Sequence, residues 1–220
     1  METLIDAFGR GLAAGPDAAA ARDRGETPSY AHRARLAGRL AAALPVGGPG
    51  APGLAAVLAP RGLEAYVAVL AALWSGRGYV PLDPRHPPAR TRAMLEQAAP
   101  DVVLVSRRLP APALRGLETW HGPSTIVRFG REAAEDVGAV IDGAVEVDLE
   151  RGEAVPPTRA AASDVAYLLF TSGTTGVPKG VAVRHSNVCA YLRSLADWLE
   201  LVQGDRVSQV FELTFDLSVH

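Results

Sequence analysis

At 220 residues the chain can bury a substantial core, and with 48% hydrophobic and 21% charged residues it reads as globular, not disordered or fibrous. A formal net charge of -2 and the lack of a long basic run give no electrostatic footprint for nucleic acid. Cys189 is the only cysteine, which excludes an intramolecular disulfide and fits a reducing compartment.

The N-terminus METLIDAFGR carries neither a basic region nor an apolar core of the secretory kind. The most apolar helical stretch, Leu63 to Trp74, is far short of the ~20 residues that span a bilayer. The expected setting is the cytoplasm, with no membrane partner. Leu4, Ile5, Phe8 and Leu12 recur at helical spacing and predict an opening amphipathic helix, ended by Gly15-Pro16. A short strand is expected over Ala18 to Arg22, turning at Asp23-Arg24-Gly25. Ser29 can cap a helix to about Leu44, with Leu36, Leu40 and Leu44 on one face. After a Gly/Pro-rich loop, LAAVLA reads as a buried strand and Gly62 to Ser75 as a helix. A short strand near Tyr79-Val80, a helix from about Pro88 to Ala99 and the strand DVVLV follow.

This alternation predicts an α/β fold of mostly parallel strands flanked by helices. From about 106 to 162 the pattern weakens; only STIVRF and AVEVDL look strand-like, and the stretch reads as a variable region between two halves of a sheet. Order returns with a strand over Val165 to Phe170 and another over Gly180 to Arg184. Ser186 or Asn187 is expected to cap a helix to about Glu200, and RVSQVF, Arg206 to Phe211, to form a further strand.

The sharpest signal is TSGTTGVPKG, residues 171–180. A strand leads into a loop where Thr171, Ser172, Thr174 and Thr175 offer hydroxyl donors. Gly173 and Gly176 allow bare amides to approach an anion. Lys179 adds a mobile point charge suited to a terminal phosphate. A Walker loop would place Gly-Lys-Ser/Thr at the entrance to a helix, whereas Lys179 follows Pro178 and precedes a strand. The bland alternative is a hairpin turn without a ligand, which would need no such density of hydroxyls.

With its leading strand, SDVAYLLF, this string resembles the signature of the adenylate-forming (AMP-binding) enzymes, which include nonribosomal peptide synthetase adenylation domains and acyl-CoA synthetases. LWSGRGYVPLDPRHPPAR, residues 73–90, is similar to the family's upstream motif LKAGxAYVPLDPxxPxxR, with Trp74 in place of lysine and Gly78 in place of alanine. VRHSNV matches the helix start after the loop. PSYAHRARLAGRLAAAL resembles an early motif, TYxELxxxxxxLA, and departs from it around Arg33. Residues 215–218 read FDLS, similar to the FDxS of the peptide-synthetase branch.

The resemblance implies that ATP and a carboxylic acid are joined as an acyl-adenylate with loss of pyrophosphate, and that the acyl group passes to a thiol. That thiol would be coenzyme A or a carrier-protein phosphopantetheine. Thr171, Ser172, Gly173, Thr174, Thr175, Gly176 and Lys179 would hold the β- and γ-phosphates, Lys179 serving catalysis by neutralising charge on the leaving pyrophosphate. Asp216 would meet the α-ammonium of an amino acid, since a carboxylate beside Phe215 and Leu217 is costly without a cation; its alternative is a helix cap. Leu217 and His220 would lie along the side-chain pocket.

The family's later motifs do not occur in the chain, among them the adenine and ribose contacts, the magnesium ligand and the C-terminal lysine domain. The expectation is therefore the first part of an adenylation domain, truncated at His220, a gene fragment or half of a split enzyme, unable to complete catalysis alone. The alternatives are an acyl- or aryl-CoA ligase fragment and a non-catalytic nucleotide-binding remnant. Cys189 reads as a buried apolar residue. His32, His86, His121, His185 and His220 show no metal-ligand spacing, so no metal held by this chain is expected.

Overall fold

The computed structural model describes residues 2–46, 53–118, 120, 122, 124–130, 141–172 and 178–215. Helix α1 (Leu4–Ala14) begins at a reciprocal cap: the Thr3 hydroxyl accepts from the Asp6 N–H at 3.2 Å, and the Asp6 carboxylate accepts from the Thr3 N–H at 2.8 Å. It stops at Gly15, as Gly15-Pro16 predicts. The strand expected over Ala18 to Arg22 is reduced to the isolated pairs Ala19↔Ser29 and Asp23↔Glu26. The turn between them is real, with Arg24 and Gly25 at positive φ. Ser29 then caps α2 (Tyr30–Ala42), its hydroxyl accepting from the His32 N–H.

The α/β alternation follows as predicted: β1 (Leu54–Leu58), α3 (Leu63–Trp74), β2 (Gly78–Leu82), α4 (Pro88–Ala98) and β3 (Val102–Ser106). Next come α5 (Ala111–Glu118), β4 (Thr125–Phe129), β5 (Val145–Val147), β6 (Val165–Ser172), β7 (Pro178–Arg184) and α6 (His185–Trp198). The seven strands form one sheet in the order β5-β4-β3-β1-β2-β6-β7. Every neighbouring pair is parallel except β6 and β7. Thus β4 and β5, from the weakly patterned region, extend one side of the sheet, and β6 and β7 extend the other.

Period-two alternation divides the central strands between two cores. Ala55 and Val57 of β1 with Val102 and Leu104 of β3 pack toward α2 and α3. Ala56, Leu58, Val103 and Val105 pack toward Met94 and Leu95 of α4 and Leu114 and Leu117 of α5. Burial on both faces is why these strands read as continuous apolar runs.

Three expectations need correction. Helix α5 was not foreseen, because Pro110, Pro112 and Gly116 hide its period; a proline in a first helical turn removes only an N–H that lacks an intrahelical partner. The predicted strand over Arg206 to Phe211 is irregular. Its β-propensity finds no strand to pair with among the described residues, and the Arg61 guanidinium holds it instead by donating to the Gln209 and Val210 carbonyls. Neither Ser186 nor Asn187 is the cap of α6. The cap position is Arg184, and Asn187 acts one turn in by accepting from the Arg184 N–H.

Two contacts tie loops to the core. Arg77 is 2% exposed and donates through Nε and Nη2 to Asp101 Oδ2 at 2.9 and 2.7 Å, and through Nη2 to the Pro45 carbonyl at 2.7 Å. Trp74, where the family motif carries lysine, is buried and donates its indole N–H to the Val155 carbonyl at 2.8 Å.

Candidate functional site

The described residues of the 171–180 string, Thr171, Ser172 and Pro178 to Gly180, lie on the paired strands β6 and β7. Tyr79 of β2 pairs with Tyr167 of β6, and this is the whole β2–β6 ladder. Pro81, which has no N–H to give, stands two residues further along β2. Counting three residues on from that pair, Leu82 ends β2 level with Phe170, while β6 runs on to Ser172. Ser172 and its partner Pro178 therefore lie past the end of β2, beyond the carboxyl edge of the parallel strands, the edge at which open α/β sheets bind ligands.

Antiparallel register sets Thr171 opposite Lys179 and Ser172 opposite Pro178. Residues directly opposite share a face, so the Thr171 and Lys179 side chains leave the hairpin on the same side. Both residues are exposed, and Thr171 Oγ1 lies 3.5 Å from the Lys179 carbonyl oxygen. Lys179 makes no ion pair with any described residue. A hydroxyl donor and an uncommitted ammonium on one face suit a polyanion such as a nucleotide's phosphates.

Gly180 has a different task from the other glycines of the string. A Cβ there would lie 3.1 Å from Leu168 Cδ1 and 3.3 Å from Phe170 Cε1. Phe170 is its cross-strand partner, so this glycine makes room for an aromatic ring that anchors the hairpin. Pro178 opens β7, the strand position where a missing N–H costs least.

Of the predicted site residues, the structure thus brings Thr171 and Lys179 together and places the Ser172 backbone beside them. Gly173, Thr174, Thr175 and Gly176 lie outside the described residues, as do Asp216, Leu217 and His220. Cys189 is buried, and burial pushes its thiol up, which agrees with an apolar reading and not a nucleophilic one. No group of three or more metal-ligating side chains occurs among the described residues.

The PLDPRHPP motif and the segment that precedes FDLS, far apart in the sequence, are neighbours. Arg85 reaches Asp83 at 2.7 Å and Glu212 at 3.1 Å. Burial works to raise the Asp83 carboxyl, and the adjacent Arg85 guanidinium outweighs this and holds it below the usual range. Burial also pushes the neighbouring His86 imidazole down. Leu213 and Thr214 lie over a cleft of about 400 Å³ at the carboxyl ends of β1 and β2. Opposite charges on two distant loops are the only signal that could have suggested this contact, and it is too common to single out.

The family described as AMP-binding enzyme matches residues 8–220. A dimodular nonribosomal peptide synthase of Bacillus subtilis (strain 168) is 32% identical over 216 residues, covering 98% of this chain and 9% of that protein. The crystal structure of IdnL7 superposes with a TM-score of 0.75 at 34% identity, covering 99% of this chain and 42% of that one. The AMPPNP-bound form of the nonribosomal peptide synthetase FmoA3 gives a TM-score of 0.76 at 27% identity, with 99% and 21% covered. This chain therefore spans less than a tenth of the Bacillus synthase and less than half of IdnL7. No described helix is long and apolar enough to cross a membrane. The α/β sheet with its flanking helices matches the N-terminal part of the adenylate-forming fold, and the chain belongs to the AMP-binding enzyme family.

Proposed function

We propose that the protein activates a carboxylic acid, an amino acid in preference to others, as an acyl-adenylate, and that this chain supplies its phosphate-holding hairpin. The observation that carries the reading is the exposed Thr171–Lys179 pair at the carboxyl edge of the sheet, free of any described carboxylate. ATP supplies the α-phosphorus attacked by the substrate carboxylate and pyrophosphate as leaving group. Lys179 offsets charge that grows on the β- and γ-phosphates as that bond breaks, and the Thr171 hydroxyl orients the same oxygens. Ser172, Gly173, Thr174, Thr175 and Gly176 complete the cradle in this proposal. Magnesium would arrive with the nucleotide.

Support for an amino acid comes from the FDLS string, similar to that of the peptide-synthetase branch, whose Asp216 would meet the ammonium, and from the peptide-synthetase relatives. The acyl group would then pass to a carrier-protein phosphopantetheine or to coenzyme A. The test is ATP–pyrophosphate exchange by the complete enzyme that contains this chain, with panels of amino, fatty and aryl acids. Exchange with amino acids alone is the expected outcome. Exchange with fatty or aryl acids alone moves the protein to the CoA-ligase reading, and none at all favours a nucleotide-binding remnant. Asp216→Ala is expected to raise the amino-acid KM by roughly tenfold or more, the scale of a lost charge-assisted contact. An unchanged KM would leave Asp216 as a helix cap.

A further inference from the structure

The polar side chain least accounted for by packing or mechanism is Arg33. It sits in the first turns of α2, is 6% exposed, and its Nη1 is buried without a hydrogen-bond partner. Its guanidinium carbon lies 5.8 Å from the centre of the Tyr66 ring on α3. The Tyr66 hydroxyl is likewise buried and unpartnered. No carboxylate pairs with Arg33 among the described residues. A guanidinium cannot shed its proton to escape such a site, so a ring face alone leaves the charge uncompensated. Burial pushes the guanidinium below its ordinary value and the Tyr66 phenol above its own.

Both side chains line a cleft of about 840 Å³ between α1, α2 and α3. Arg22, Arg24, Arg33 and Arg61 face one acid there, Asp23, and the far wall is apolar, with Phe8, Leu70 and Leu73. Residues 207–209 form its roof, held by Arg61 donating to the Gln209 carbonyl. The cleft is not lined by Thr171 or Lys179. We infer that this cleft is a second ligand site, taking a small amphiphilic oxyanion whose head meets the Arg33 fork and Tyr66 hydroxyl and whose apolar body lies against α1 and α3. A planar guanidinium beside a hydroxyl donor binds a carboxylate or a phosphate bidentately, and the positive cleft mouth favours the entry of either.

Titration calorimetry on the purified protein with octanoate and octyl phosphate tests the site, with acetate and inorganic phosphate as probes lacking an apolar body. At least one amphiphile is expected to bind at least tenfold more tightly than its short counterpart; which of the two binds identifies the head group. Arg33→Leu should weaken that binding about tenfold or more, the scale of a lost charge-assisted hydrogen bond, without loss of folding. Tyr66→Phe, which keeps the ring and its packing, should weaken it several-fold and guards against a misfolded Arg33 variant. Lys179→Ala should leave it unchanged, which separates this site from the hairpin whether or not the adenylation reading survives. Equal binding by wild type and Arg33→Leu, or no binding by any of the four anions at 10-fold the protein concentration and above into the millimolar range, overturns the inference.

Discussion

Arg77 stands at the amino edge of the sheet and Lys179 at the carboxyl edge, and the two cations are treated in opposite ways. Arg77 is almost wholly buried and donates three hydrogen bonds that tie the start of β2 to Asp101 and to the Pro45 carbonyl. Lys179 is exposed and pairs with no described residue. The amino edge spends its charge on holding loops together, and the carboxyl edge keeps a charge uncommitted. A cation already committed to a carboxylate cannot stabilise charge arriving on a ligand, so a binding edge must leave its donors unpaired in the free protein.

The sharpest way to break this contrast is Lys179→Ala. Pyrophosphate exchange is expected to fall by a factor of roughly 10²–10³, the loss typical of one donor to developing charge. Thermal stability should move by no more than about 0.5 kcal/mol, as for an exposed side chain. Unchanged turnover at saturating ATP would remove Lys179 from the phosphate site.

Arg77→Met tests the opposite edge. It leaves Asp101 and the Pro45 carbonyl without their donor. Loss of a buried partner costs about 3–5 kcal/mol, and because Asp101 is 40% exposed the expected cost is nearer the lower figure. Urea denaturation reads it; a cost under 1 kcal/mol would show that the clamp is not needed.

Between the edges, Gly78→Ala tests the joint between core and hairpin. The family motif carries alanine there, yet a Cβ on Gly78 would lie 2.6 Å from the Val165 carbonyl oxygen, and backbone cannot yield as a flexible side chain can. Overpacking of this kind costs about 1–3 kcal/mol. Since β2 holds β6 by a single pair, the hairpin should shift as well, so exchange activity is expected to fall together with stability. Restored family consensus with no loss of either would refute the close approach.

The smallest effect concerns His185, which is buried and whose Nδ1 accepts from the Leu4 N–H at 3.2 Å, pinning α1 to α6. Burial holds its imidazole below the ordinary value of 6.5. A depressed folded-state pKa means that the unfolded chain binds the proton first. The stability is therefore complete above about pH 6.5 and declines as pH falls below it. Melting temperatures measured from pH 7.5 to 5 should show that decline, and His185→Gln should flatten it at a cost of about 1 kcal/mol for the altered hydrogen bond. An identical slope in the variant would place the acid sensitivity elsewhere.

Most of the central sheet was legible from the chain itself. LAAVL, GYVPL and DVVLV are apolar on both faces, and Ser29, Gly15-Pro16 and the α3 run mark helix ends by local rules that do not depend on distant residues. The string over residues 171–180 stands out for the same reason, because hydroxyls, glycines and a lysine lie within ten residues. What the sequence could not settle was pairing. RVSQVF has the composition of a strand and no partner strand among the described residues, α5 hides behind prolines that a first turn tolerates, and the order of the strands depends on which apolar faces meet in space.

Residues and local spacing alone determined the α/β alternation and the chemistry of the loop. Tertiary structure alone decided that Lys179 stands opposite Thr171 with no described residue to neutralise it, that Arg85 meets Glu212, and that Arg33 is buried with no counter-charge among the described residues. Those are relations between segments distant in the sequence. Burial and charge compensation are sums over neighbours in space, so no reading along the chain can evaluate them.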